Sequence, residues 1–256
     1  MNRTPFRMKV SFDVFLMQSI ITLWYLGILL IIHFAPIFIN FGNKNGFNDI
    51  YAKIYISGNI FMFVIGIIAA VGILPFYVKN GVTRKDSYIG IATGTMGLAI
   101  AIPIIAFLLN LITTPIFNWL DVPIKPANLT EIAADPGDPF FAHLILSIVG
   151  PPAIEGISFL SLALFMLNLF FYYVIGWMIG SGFYRSNGIT GFLYIILAVF
   201  LFALNAQIWG KGLFVDLFIP NLSAYSYGAS FAGTIFFITI VLLIIRLTTK
   251  NIRIKL

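Results

Sequence analysis

From Val14 to Phe38 the chain carries no Asp, Glu, Lys or Arg, and the polar side chains within the run, Gln18, Ser19, Thr22 and His33, stand isolated. At about 1.5 Å per residue, a helix of this length crosses a hydrocarbon layer of about 30 Å with some tilt. Further apolar runs at 55–78, 89–120, 157–179, 189–209 and 228–245 have the same character. The third is long enough to protrude, and Pro103 and Pro115 are expected to kink it or mark its outer end. Composition leaves lipid as the solvent. Hydrophobic residues make up 60% and charged residues 9% of the chain, where a water-soluble domain has about 25% charged. The fold class is therefore all-α: a polytopic integral membrane protein with six transmembrane helices in a single domain over residues 1–256.

The stretches between the runs differ in kind. Asp121 to Asp138 is rich in Pro and acidic residues and reads as an exposed loop. Phe140 to Ile154 is apolar but broken by Gly150, Pro151 and Pro152, which suits a short interfacial or re-entrant segment better than a span. Residues 210–227, divided by Lys211, Asp216, Pro220 and Asn221, form a similar partly submerged segment. Both 121–156 and 210–227 are expected on the outer face.

Counting Lys and Arg tests this topology. One face holds Arg3, Arg7, Lys9, Lys79, Arg84, Lys85, Arg185, Arg246, Lys250, Arg253 and Lys255; the other holds Lys44, Lys53, Lys125 and Lys211. The positive-inside rule places the eleven-residue face, with both termini, in the cytoplasm. Met1 to Val14 begins like a signal peptide, but no Ala-x-Ala-like cleavage site follows, so it is expected to be an uncleaved cytoplasmic end.

The sequence excludes several classes of chemistry. Without cysteine there is no disulfide and no thiol nucleophile. No Walker A loop, Gly-x-Ser-x-Gly or His-Glu-x-x-His occurs, so no catalytic residue and no metal set is assigned and the chain is expected not to be an enzyme. The basic residues sit at the ends of apolar runs and form no aromatic-basic groove, which argues against nucleic acid. Ion-coupled transport usually leaves an ionisable residue inside a span, and the middles of all six runs have none. Three polar residues within runs, Asn168, Asn205 and Gln207, either bond neighbouring helices or line a route for substrate. Gly90 with Gly94, and Gly176 with Gly180, have the Gly-x-x-x-Gly spacing that lets another backbone approach closely.

The short connection from Tyr77 to Gly90 carries the most information. Gly81 can end the second helix, and Thr83 can cap a new short helix, with Asp86 three residues later completing a variant capping box. Arg84, Lys85 and Asp86 would then sit in water beside Val82 and Tyr88, a design suited to docking on a soluble partner.

Gly81-Val-Thr-Arg-Lys-Asp-Ser-Tyr88 resembles the stretch after the second span of bacterial ABC-2 type permeases. The six-span architecture, with a basic N-terminal end and broken outer segments, is similar to that family over nearly the whole chain. The long loop 121–138 departs from the compact exporter pattern. The resemblance implies an elbow helix over 1–13 and a coupling helix within 79–88, with Val82, Thr83, Arg84, Lys85, Asp86 and Tyr88 docking a cytoplasmic ABC ATPase present in two copies. It implies a second permease copy or a homologous permease beside this one in the bacterial cytoplasmic membrane. ATP and Mg²⁺ would belong to the ATPase, with no cofactor in this chain. The Ile-, Asn- and Phe-rich composition is similar to permeases of Gram-positive bacteria, some of which export peptides, and spans dominated by Phe, Ile, Leu and Met suit an amphipathic or lipophilic cargo. The alternative from another class is a non-transporting membrane scaffold or sensor component.

Overall fold

The structure, a computed structural model, describes residues 6–39, 47–120, 124–125, 158–185, 188–209 and 226–250. Its helices are α1 (Phe6–Ile39), α2 (Ile50–Ile68), α3 (Leu74–Lys79), α4 (Arg84–Trp119), α5 (Phe159–Arg185), α6 (Gly188–Ile208) and α7 (Tyr227–Lys250). A π-helical turn, Ala69–Ile73, joins α2 to α3 into one element, so among the described residues six elements are long and apolar enough to cross a membrane. Pro75 accounts for the widened turn: it has no N–H for the carbonyl four residues back, and its ring crowds that carbonyl. Outside the helices, two short strands, β1 (Phe47–Asn48) and β2 (Ile124–Lys125), form a parallel ladder that pairs Phe47 with Ile124.

Most helices outrun their apolar cores. The first span was expected at 14–38 with a separate elbow before it, yet Phe6 to Asp13 simply continue α1. Nothing in the sequence breaks the helix there, since no Gly or Pro occurs from Phe6 to Leu26. The coupling helix is likewise absent as a separate element, because α4 starts at Arg84 and runs unbroken through the third span, past Pro103 and Pro115. The expected outer segments within 121–156 and 210–227 lie outside the described residues, apart from β2 and the start of α7.

The helix at the centre is α5. Every residue from Phe171 to Gly182 is buried, which fits a helix that is apolar all round. It meets α2 across a seam of glycines. A Cβ on Gly66 would overlap the Tyr173 carbonyl oxygen, and one on Gly176 would overlap that of Phe63. Gly180 faces Ala70 and the Ile67 carbonyl in the same seam. A second close pair joins α1 to α4, where Gly90 faces Val10 and the Arg7 carbonyl, and a Cβ on Gly94 would stand 2.5 Å from the Ser11 carbonyl oxygen. Both Gly-x-x-x-Gly spacings thus serve packing within the chain. Leu23, Trp24, Ile28, Ile31 and Ile32 of α1 stay exposed, as a lipid-facing surface does.

Candidate functional site

The helices alternate in direction, so the start of α1, the end of α3, the start of α4, the end of α5, the start of α6 and the end of α7 gather at one end of the bundle. This basic end contains the connection singled out in the sequence. Asn80 closes α3, and Gly81 follows with φ +83°. The Val82 N–H donates to the Tyr77 carbonyl (3.0 Å) and the Gly81 N–H to that of Val78 (3.2 Å), the pair of bonds that defines a Schellman turn. Thr83 then caps α4: its hydroxyl accepts from the Asp86 N–H (3.1 Å) and donates to the Asp86 carboxylate (2.8 Å). The chain reverses in four residues, with a helix stop and a helix start back to back.

The six expected docking residues divide in this geometry. Thr83, Arg84 and Lys85 are exposed. Val82 is half-buried against the core. Asp86 serves the cap and stands 3.8 Å from the Arg7 guanidinium. Tyr88 turns inward: its hydroxyl donates to the Leu242 carbonyl (2.8 Å), its ring lies 5.3 Å from that of Trp177, and the Arg246 guanidinium sits 5.6 Å from its centroid. Arg84 donates to the Lys250 carbonyl at 2.9 Å. The connection is therefore open to water on one side and tied to α1, α5 and α7 on the other.

The polar residues expected within the spans do not converge. Asn168 donates to the Tyr55 hydroxyl in the α2–α5 seam. Asn205 accepts from the Thr234 hydroxyl (2.9 Å), which in turn receives the Trp209 indole N–H (3.0 Å), tying α6 to α7. Gln207 lies half-buried two residues further along α6. The first two bond helix to helix and mark no common route. A more deeply placed amide was not singled out in the sequence. Gln18 is fully buried, accepts from Thr95 (3.1 Å) and donates to the Tyr173 hydroxyl (3.4 Å), joining α1, α4 and α5. Its signal was an amide alone in a charge-free run, but its partners are a threonine and a tyrosine like many others.

The opposite end of the bundle holds a smaller polar group. The Lys53 ammonium lies 3.1 Å from His33 Nδ1. An ammonium can only donate, so this nitrogen is the acceptor and the ring proton sits on Nε2. The His33 ring packs 4.9 Å from Phe117. Asp49 caps α2 by accepting from the Tyr51 N–H (2.6 Å). Burial pushes its carboxyl above the usual range, against the pull of that N–H and of Lys53. His143, the chain's other histidine, lies outside the described residues.

Comparison with known proteins returns no match. No family model, no curated protein and no solved structure matches this chain. The bundle itself is that of a polytopic, all-α membrane protein with six apolar spanning helices.

Proposed function

We propose that this chain is the transmembrane permease subunit of an ATP-driven ABC exporter, and that the Schellman turn with the first turn of α4 is its docking element. The observation that carries the reading is the double attachment of residues 80–88. Thr83, Arg84 and Lys85 face outward, while Asp86 holds Arg7 on α1, and Arg84 and Tyr88 hold α7. A protein that pulls on this turn pulls on the first, third and sixth spans together. In this reading the basic end faces the cytoplasm of a bacterial cell, two ABC ATPase subunits supply the ATP and Mg²⁺ chemistry, and a second permease completes the route. The cargo is amphipathic or lipophilic, such as a peptide. Coupling requires that the permease bind the ATPase's nucleotide states unequally.

The test is reconstitution of this chain with a candidate ABC ATPase from the genome that encodes it, reading hydrolysis in nanodiscs with and without the permease. Lys85→Glu and Arg84→Glu are the informative variants: both side chains are exposed, and since Arg84→Glu also cuts the tie to the Lys250 carbonyl, the Lys85→Glu result is the decisive one. Val82→Asp and Asp86→Ala would also disturb packing or the helix cap. Stimulation in the wild type, lost in the charge reversals at unchanged monodispersity, is the expected result. Full stimulation in both reversals would remove this turn as the docking element. Stable association with no stimulation in the wild type would favour a scaffold or sensor.

A further inference from the structure

Three arginines from three helices are placed at the last turns of α7. Arg84 of α4 donates to the Lys250 carbonyl (2.9 Å), and Arg185 of α5 donates to that of Leu247 (3.3 Å). Arg246 belongs to α7 itself and lies over the Tyr88 ring. Cations bonded to the final carbonyls of a helix are favoured by its dipole, which accounts for Arg84 and Arg185. It does not account for Arg246, whose Nη1 is buried and has no hydrogen-bond partner among the described residues. Nor are the three charges balanced. The described carboxylates at this end are Asp86, facing Arg7, and Asp13, which accepts from the Tyr77 hydroxyl (2.5 Å). A buried unpaired donor of a charged group, beside two like charges, calls for an anion.

We propose that the C-terminal turns of α7, with Arg84, Arg185 and Arg246, bind the phosphate of an anionic phospholipid. The guanidinium fork matches phosphate oxygens in pairs, and basic clusters at a membrane surface attract anionic headgroups. The surroundings select a lipid over a free ion. Leu243 and Leu247, at positions −3 and +1 from Arg246, are 58% and 69% exposed. A headgroup held at the arginines lays its acyl chains along that apolar stripe, which a free phosphate would leave unused.

The measurement needs no ATPase, so its outcome is independent of the docking proposal. The purified chain is placed in phosphatidylcholine nanodiscs with or without a minority of phosphatidylglycerol. The unfolding midpoint is recorded, and the lipid kept after detergent extraction is identified by mass spectrometry. Phosphatidylglycerol should raise the midpoint and be retained in preference to phosphatidylcholine. Both effects should vanish in Arg185→Gln/Arg246→Gln and persist in Lys79→Gln, at the same end on α3. Should the double variant not fold, Arg246→Lys keeps the charge without the fork and should lose retention several-fold. No phosphatidylglycerol preference in the wild type, or undiminished retention in the variants, overturns the proposal. So does inorganic phosphate alone reproducing the whole shift in phosphatidylcholine discs, which would make the site one for a free anion.

Discussion

An amide inside hydrocarbon has few places to send its hydrogen bonds, and Gln18 uses two of them to join three helices. Gln18→Leu keeps most of the volume, takes the acceptor from the Thr95 hydroxyl and takes the amide donor from the Tyr173 hydroxyl. The Thr95 hydroxyl can turn to a carbonyl of its own helix, whereas the wholly buried Tyr173 hydroxyl keeps Thr95 beside it. The substitution should cost about 1 kcal/mol in reversible unfolding from mixed micelles, in the range of hydrogen bonds between membrane helices. A cycle with Tyr173→Phe should return a coupling of about 0.6 kcal/mol. Additive effects would show that the amide fills space and bonds nothing of consequence. The same scale explains Tyr88. In the sequence it sits with exposed charged neighbours, but position 88 lies 100° per residue further around a helix that begins at Arg84, and that rotation carries the ring onto Trp177.

The pairing of α2 with α5 depends on backbone reaching backbone. A methyl on Gly66 or Gly176 meets a carbonyl oxygen of the facing helix, which cannot step aside as a side chain can. Gly66→Ala and Gly176→Ala should each destabilise by about 3 kcal/mol, the upper part of the range for overpacking. Gly27, with nothing within 4 Å of its missing Cβ, is the control; Gly27→Ala should stabilise by up to about 1 kcal/mol through helix propensity. Thermal unfolding in one detergent compares all three. Equal effects at the three sites would mean that the seam is looser than its geometry. The spacing of Gly176 and Gly180 was visible in the sequence, but its partner was not, because an all-round apolar helix offers no stripe to orient it. Gly66 has no glycine four residues away and gave no pattern at all. The stop at Gly81 and the cap at Thr83 were legible, since local backbone geometry decides both. The coupling helix was misjudged for want of a breaker between Arg84 and Ile89: a capped helix continues until something ends it.

At the scale of the whole molecule, six spanning elements were readable from the charge-free runs, because hydrocarbon thickness sets the length of each. Which end faces the cytoplasm rests on the Lys and Arg bias, and a chain without cysteine lends itself to the test. Ser158→Cys and Ser226→Cys, exposed at one end, should react with an impermeant thiol reagent on intact cells. Lys85→Cys and Gly188→Cys, exposed at the other, should react only after permeabilisation. The reverse pattern would turn the molecule over and remove the docking face from the cytoplasm. The glycine seams also fix an order of events at the ribosome. Helix α1 closes against α4, and α2 against α5, while α1 meets α2 through side chains, Tyr25 on Ser57 and Phe61 and His33 on Lys53. Each seam therefore waits on a later helix. A nascent chain halted after α3 lacks the α5 backbone that Gly66 faces, so this seam forms only when α5 arrives. Late assembly of this kind should leave α2 open to quality-control proteases until α5 is made, and truncation between Leu120 and Phe159 should yield a chain that inserts but is rapidly degraded.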